Sequence, residues 1–144
     1  MRTNARWTLA LLLAAAACGS PPEPGEPGYA YNVDGEYAAE FAAADGTVYT
    51  GTMQLETLPG GEVTGMMSLT DPAAIEGTVE GLVVGADLSL SVDYEIMDQG
   101  CGGVASGSGV IDEGGGAASG SVEISDACGG GAPTSATFTL TRAG

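Results

Sequence analysis

The side chains that could do chemistry in this sequence are few, and acids dominate them. The chain of 144 residues has 19 Asp and Glu against three basic side chains, all of them arginine, and it contains neither His nor Lys. Without an imidazole there is no Ser-His-Asp triad and no His-ligated metal site. The net charge of −16 leaves almost nothing to neutralise phosphates, which excludes nucleic-acid binding as a function.

Two acidic pairs are the candidates for acid–base catalysis of the kind that glycosidases perform with paired carboxylates. Asp112-Glu113 lies in a predicted turn, and Asp93 and Glu95 lie on the outward face of a predicted strand, without an evident cleft at either place. Carboxylates on such faces are usually solvated. We therefore predict a protein that is not an enzyme and that uses no cofactor.

Calcium binding has no recognisable motif in this sequence. Both the EF-hand spacing and the nine-residue Gly/Asp repeat are missing. A dense acidic surface attracts divalent ions diffusely, and a specific calcium site would be sought near Asp98 or Asp126. No metal site is assigned from the sequence.

The first of the three cysteines follows a segment typical of export signals. Residues 1–6 carry two arginines, and an apolar run of eleven residues from Trp7 to Ala17 leads directly to Cys18. Eleven helical residues span only about 16 Å, which is too short for a hydrocarbon core of about 30 Å. The segment is predicted to be a signal peptide that is removed.

The residues LAAAACGS around Cys18 resemble the lipobox of bacterial lipoproteins, with Ala15 where that family most often has Leu. The resemblance covers about the first 20 residues. It implies cleavage before Cys18, a diacylglyceryl thioether and an N-linked acyl chain such as palmitate on Cys18, and membrane anchoring in the bacterial cell envelope. The outer membrane is favoured where the organism has one. The alternative is an ordinary cleaved signal in which Cys18 is incidental.

Three regions follow from this organisation: a signal peptide over 1–17, a lipidated cysteine with a Pro-rich tether over 18–28, and a β-barrel domain over 29–144. Four of the seven prolines fall in residues 19–28. Such a segment favours extended polyproline II at about 3.1 Å per residue, which predicts a tether of about 30 Å. Loss of the two N-terminal arginines leaves one base and 19 acids, a balance of −18.

Apolar residues recur at every second position after the tether, which is the pattern of half-buried strands. Leu88, Leu90 and Val92 alternate with Ser89, Ser91 and Asp93, for example. The sequence predicts an all-β fold with no helix after the signal and about eight strands, at 32–42, 47–57, 62–70, 74–80, 82–96, 103–111, 116–124 and 134–142.

Glycines recur on the apolar face of these strands, within a repeated pattern of apolar, polar, Gly, polar, apolar. Inward glycines that recur from strand to strand favour a tightly coiled sheet that closes on itself. The five copies, two of them weaker, are centred on Gly51, Gly65, Gly77, Gly107 and Gly120.

The parity of the inward residues predicts antiparallel neighbours joined by short turns. Phe41 and Tyr49 both face inward, which requires a hairpin loop of odd length. Folding the sixth and seventh strands around residues 113–116 places Cys101 opposite Cys128, and an exported compartment favours their oxidation. We predict a disulfide between them, although a redox-active or metal-binding thiol pair is the alternative reading.

An apolar interior and an exterior of Thr, Ser, Asp and Glu are typical of a soluble barrel, whereas an outer-membrane barrel shows the reverse. About eight meander strands over residues 30–142 resemble the small barrels of the lipocalin and avidin-like group, but the mature chain lacks the tryptophans of an avidin-type biotin site. A Greek-key sandwich would show the same alternation. The predicted inward residues are Val33, Tyr37, Phe41, Tyr49, Met53, Leu55, Val63, Met67, Leu69, Ile75, Val79, Leu88, Leu90, Val92, Tyr94, Ile96, Ile111, Val122, Ile124, Phe138 and Leu140.

The function predicted from these features is that of a monomeric, acidic, lipid-anchored envelope protein whose barrel binds a small apolar ligand or a protein partner. Tyr37, Tyr49 and Tyr94 are the candidate ligand-lining residues, with core tyrosines as the alternative. Two further functions stay open: a protease inhibitor acting through the loops 98–103 or 127–134, and a purely structural surface protein. Barrels of this size either hold a small ligand or are filled with side chains.

Overall fold

The computed structural model describes residues 19–129 and 132–143, and the signal peptide and Cys18 lie outside them. The described chain is all-β and contains no helix, as the sequence predicts. Its eight strands are β1 (Gly35–Ala43), β2 (Val48–Thr57), β3 (Glu62–Asp71), β4 (Ile75–Val84), β5 (Asp87–Ile96), β6 (Cys101–Ile111), β7 (Ala117–Asp126) and β8 (Thr134–Arg142).

The strands form a closed antiparallel barrel in sequence order, and β1 completes it by pairing with β8. This is the predicted meander and not a Greek-key sandwich. Phe41 pairs with Tyr49, as the parity of inward residues requires. Closure leaves no sheet edge open to pair with another chain.

Several predicted strand boundaries differ from those of the structure. A break at Gly81 separates the predicted strands 74–80 and 82–96, but Gly81 lies inside β4 and pairs with Leu90, and the turn falls at Gly85-Ala86. A Cβ at Gly81 would overlap the carbonyl oxygen of Ser89, so this glycine permits a close approach of strands and does not end one. The first strand begins at Gly35 instead of residue 32.

The core fills the barrel with the residues that the alternation predicts. Every residue of the predicted inward set is buried in the core or packs against it, and Tyr37, Phe138 and Met53 are the largest fully buried side chains. The predicted inward set omits four buried alanines, because alanine gives a weak alternation signal, and Val83, which the predicted break at Gly81 assigns to the wrong strand. The added buried residues are Ala39, Val83, Ala105, Ala118 and Ala136.

The inward glycines lie where neighbouring backbones approach closely. A Cβ on Gly107 would overlap the carbonyl oxygen of Ser121, and a Cβ on Gly120 would overlap that of Ser108. β2 and β3 also shift register between Thr50 and Gly51, which marks a β-bulge. Bulges and inward glycines let a sheet coil tightly, which allows closure around a narrow core.

The barrel has two different ends. At one end, which we call the capped end, lie the start of β1, the end of β8 and the turns 58–61, 85–86 and 112–116. At the other, which we call the open end, lie the connections 44–47, 72–74 and 97–100 and the connection between β7 and β8. Both termini of the barrel domain therefore leave from the capped end.

The outer face is mainly polar, but it also carries large apolar side chains that the predicted exterior of Thr, Ser, Asp and Glu omits. Met66 is the most exposed of them at 67%. Single exposed apolar residues are common on protein surfaces. The set is Val48, Met66, Leu82, Val84, Met97, Val104 and Val110. Over the described residues, no helix is present that is long and apolar enough to cross a membrane.

Candidate functional site

The segment before β1 closes the capped end, and from residue 23 onward its turns replace the extended chain that the sequence predicts over 19–28. Residues 23–32 form turns that contact the barrel. The Pro24 carbonyl accepts a hydrogen bond from the Gly60 N–H at 3.1 Å, and the Tyr29 hydroxyl donates to the Gly85 carbonyl at 2.8 Å. The Ala30 carbonyl accepts from the Gly114 N–H at 2.7 Å. These contacts reach three separate turns, so the segment spans the end of the barrel.

Val33 anchors the preceding segment, residues 23–32, which we call the cap, in the core. Its side chain is fully buried, and its N–H donates to the Thr57 hydroxyl at 2.8 Å. The Thr57 N–H in turn donates to the Asp34 carboxylate at 2.8 Å. Tyrosines apart, Thr57 is the only buried polar residue in the part of the chain that the structure describes, and its hydroxyl is hydrogen-bonded. The cap therefore satisfies the polar groups that it buries.

Tyr37 and Arg142 complete the capped end. The Tyr37 hydroxyl donates to the Gly115 carbonyl at 2.6 Å and accepts from the Arg142 guanidinium at 3.0 Å. The same guanidinium donates to the Asp34 and Gly114 carbonyls and lies 5.5 Å from the centre of the Tyr37 ring. Burial raises the pKa of the Tyr37 phenol, while Arg142 acts in the opposite direction. The Tyr37 hydroxyl and each of the three guanidinium nitrogens of Arg142 therefore have a partner within the protein.

The open end holds a cavity of about 210 Å³ inside the barrel. For comparison, an apolar cavity of about 150 Å³ is enough to bind benzene. Inward side chains of the strands form most of its wall, which is apolar or aromatic apart from two acids and a threonine. The lining residues are Phe41, Ala43, Ala44, Asp45, Tyr49, Met67, Leu69, Ile75, Val92, Tyr94, Ile96, Ala105, Ile124, Asp126 and Thr134.

One polar pair projects into this cavity from β5 and β7. The Tyr94 hydroxyl donates to an Asp126 carboxylate oxygen at 2.9 Å, and the other oxygen accepts from the Cys128 N–H at 3.0 Å. Tyr94 pairs with Gly103, and Gly103 pairs with Asp126, so the missing side chain at 103 leaves room between them. Burial and the neighbouring Asp126 carboxylate both raise the pKa of the Tyr94 phenol.

A disulfide fixes the wall beside this pair. Cys101 at the start of β6 is bonded to Cys128 just after β7, with 5.5 Å between their Cα atoms. The predicted disulfide is confirmed, and a pair of free thiols is ruled out as the state of this structure. Because Cys128 also donates its N–H to Asp126, the bond holds the backbone that positions the carboxylate.

The charge at the open end is entirely negative among the described residues. Asp45, Asp71, Asp98 and Asp126 lie on its loops and strand ends, whereas the one basic side chain, Arg142, belongs to the capped end. The Thr47 N–H donates to the Asp45 carboxylate at 2.8 Å and lowers the pKa of that carboxyl. The mouth therefore has a negative potential.

The candidate ligand-lining tyrosines do not lie together. Tyr49 and Tyr94 line the open-end cavity, whereas Tyr37 belongs to the capped end and lies outside the cavity lining. Sequence reasoning did not identify Phe41 and Asp126 as lining residues. A signal was present for Asp126, since Val122, Ile124 and Asp126 share one face of β7.

The acidic candidates lie elsewhere. Asp112 and Glu113 are exposed in a turn at the capped end. Asp93 and Glu95 line a concavity of about 700 Å³ on the outer face of β2 to β5, so they border a groove that the sequence did not indicate. No group of three or more acidic or cysteine side chains suited to a metal occurs within residues 19–129 and 132–143.

The loops predicted for protease inhibition both belong to the open end. Of residues 98–103, only 98–100 form a connection, because β6 already begins at Cys101. Of residues 127–134, Thr134 is the first residue of β8. The disulfide between Cys101 and Cys128 joins the two regions, so they lie next to each other at the open end.

Comparison with known proteins identifies the fold. The chain matches no protein-family model and no curated protein sequence. Among solved structures it is similar to EF1p2_mFAP2b bound to DFHBI, with a TM-score of 0.60 and 14% identity over 77% of this chain and 94% of the other. It is also similar to a redesigned β-barrel, mFAP1, bound to DFHBI, with a TM-score of 0.55 and 16% identity over 76% and 94%. A redesigned β-barrel, b11L5F_LGL, gives a TM-score of 0.53 and 16% identity over 78% and 92%.

Proposed function

We propose that this is a lipid-anchored, non-enzymatic protein of the bacterial cell envelope whose barrel binds a small apolar molecule at its open end. The binding part rests on one observation, the cavity of about 210 Å³ that inward aromatic and aliphatic side chains enclose. Pockets of this composition are the usual sites for small molecules. Two of the similar barrels are bound to the small molecule DFHBI, which supports the use of this fold for binding.

The cavity volume limits the size of the ligand. Pockets for drug-sized molecules run from about 300 to 1,000 Å³, and this cavity is smaller. A molecule with one aromatic ring and a short substituent fits, as does a short branched hydrocarbon chain. The disulfide and the closed barrel hold the wall in place, so little ordering is needed when a ligand enters.

NMR of the methyl groups tests the binding site directly. Titration of the protein with 2-phenylethanol is expected to shift the methyl signals of Leu69, Ile75, Val92 and Ile124 in a saturable way, and to leave Val33 at the capped end unchanged. Saturable shifts at the capped end alone, or none at the open end, would contradict the proposal.

A pair of tryptophan variants on neighbouring strands provides the control. Ile124→Trp adds a ring to the cavity and is expected to abolish the shifts. Val104→Trp adds the same ring to the outer face of β6, where Val104 is exposed, and is expected to preserve them. Equal binding by both variants would place the ligand elsewhere.

The lipid anchor is tested separately. Cells that express the full chain and are given a labelled fatty acid are expected to incorporate the label into this protein, and a Cys18→Ala variant to lose it. Incorporation that survives the substitution, or no incorporation at all, would refute the anchor without affecting the binding site.

A further inference from the structure

We propose that the molecule bound at the open end is a small apolar amine, with its ammonium group at Asp126 and its hydrocarbon body against Phe41, Tyr49 and the aliphatic wall. This inference rests on the proposed binding function and specifies the chemistry of the ligand. It follows from four properties of the site: an oriented carboxylate, the lack of a cation beside it, aromatic neighbours, and a further acid at the mouth.

The carboxylate of Asp126 is held in place and still has capacity to accept. One oxygen takes the Cys128 N–H at 3.0 Å, and the other takes the Tyr94 hydroxyl at 2.9 Å. An ionised carboxylate offers about four lone-pair sites, so about two remain for a ligand. An ammonium group carries three N–H donors and suits this arrangement, whereas a second acceptor does not.

No basic side chain of the described residues balances Asp126. Arg142 is engaged at the opposite end of the barrel, where its guanidinium donates to the Asp34 and Gly114 carbonyls and to the Tyr37 hydroxyl. A half-buried carboxylate without a cationic neighbour gains more from a bound cation than an exposed one, because the surroundings screen the attraction less.

The remaining wall favours a cation with an apolar body. The rings of Phe41, Tyr49 and Tyr94 line the same cavity as Asp126. Aromatic faces attract ammonium groups, and the attraction is stronger where water is excluded. Asp45 at the mouth adds a second negative charge to the lining. An anionic amphiphile such as a fatty acid would meet two carboxylates and no base there.

Three probes with the same phenylethyl skeleton test the charge preference: 2-phenylethylamine, 2-phenylethanol and 3-phenylpropanoate. Calorimetry with the natural sequence at pH 7 and low salt is expected to give at least tenfold tighter binding for the amine than for the alcohol, and no saturable binding for the carboxylate. A hydrogen bond to a charged group is worth about 1.5–3 kcal/mol, which corresponds to roughly 10- to 100-fold in affinity.

Two variants that each remove one negative charge test whether the preference for the amine depends on Asp126. Asp126→Asn is expected to weaken amine binding at least tenfold and to change alcohol binding less than threefold. Asp112→Asn removes an exposed acid at the capped end and is expected to change neither by more than twofold. The probe comparison in the natural sequence stands without any variant, so poor folding of the Asp126→Asn protein would still leave a decisive test.

The outcomes separate this inference from the function on which it rests. Saturable binding of the alcohol with an equal or weaker affinity for the amine would overturn the amine inference and leave the binding function standing. An amine preference that survives Asp126→Asn would overturn the role of Asp126. Saturable binding of none of the three probes would remove both the inference and the binding function.

Discussion

Each end of the barrel places a tyrosine beside a charged side chain, and the two pairs have opposite consequences. At the capped end the Tyr37 hydroxyl both donates and accepts, and the Arg142 guanidinium donates to two carbonyl groups and to this hydroxyl. At the open end Tyr94 donates to Asp126, and the carboxylate keeps lone pairs that face a cavity. The polar pair at the capped end is bonded to protein groups and helps to close the barrel, whereas the pair at the open end keeps acceptor capacity beside a cavity and can form a site.

The largest expected effect concerns the open end. Replacing both cysteines with serine, Cys101→Ser with Cys128→Ser, removes a crosslink that spans 27 residues. Loop-closure entropy predicts a loss of about 3.5 kcal/mol in the free energy of unfolding. Urea denaturation measures this loss, and hydrogen exchange is expected to show lower protection in β6 and β7 near residue 101. Equal loss of protection at the capped end would show that the two ends are not independent.

The next effect concerns the capped end. Tyr37→Phe leaves the buried Gly115 carbonyl and one N–H of Arg142 without their partner. Leaving buried polar groups unsatisfied costs about 1–3 kcal/mol, so we expect a loss of about 2 kcal/mol in urea denaturation. A loss below about 0.5 kcal/mol would mean that water replaces the hydroxyl and that the capped end is not closed.

Tyr94→Phe removes the same atom from the open end and is the matched comparison. The Asp126 carboxylate borders the cavity, where water can replace the lost donor. The expected loss in the free energy of unfolding is under about 1 kcal/mol, the usual net value of one hydrogen bond. A loss as large as that of Tyr37→Phe would erase the distinction between the two ends.

At alkaline pH, Tyr37 and Tyr94 are expected to ionise at a higher pH in the folded protein than in the unfolded chain. Both phenols have a pKa raised above the ordinary value of 10.0, so the folded protein holds these protons more tightly than the unfolded chain. The stability that this contributes is full below pH 10 and falls as pH rises from 10 through the folded values. Absorbance at 295 nm is expected to show a late ionisation phase that shrinks in Tyr37→Phe and in Tyr94→Phe.

The barrel was accessible to sequence reasoning because its signals are local. Alternation assigns each residue to a face, and hairpin parity then fixes the neighbours of each strand, as Phe41 and Tyr49 illustrate. The same register carries Cys101 to Cys128. Alternation within one strand assigns a face but not an end of the barrel, so it does not separate Tyr37 at the capped end from Tyr49 and Tyr94 at the open end.

The cap is harder to predict because the proline-rich composition before it is a stronger signal than the short alternating pattern that packs it on the core. Four prolines and several glycines over residues 19–28 indicate an extended chain, but Tyr29, Tyr31 and Val33 continue the period of two and pack on the core. Local composition therefore favoured a tether where tertiary contacts select turns. Asp126 was overlooked as a lining residue for a related reason, since a charged residue at the end of an apolar face is usually read as the end of the strand.

The position of both ends of the barrel domain, the start of β1 and the end of β8, at the capped end has a practical consequence for handling the protein. Tyr37 of β1 pairs with Arg142 of β8, so the first and last strands begin and finish side by side. A reporter domain, a biosensor surface or a purification tag joined after β8 would be held on the far side from the mouth. A short peptide bridge between the two termini would also permit a circularly permuted chain cut at residues 97–100, which gives a route to reporters that respond at the mouth itself.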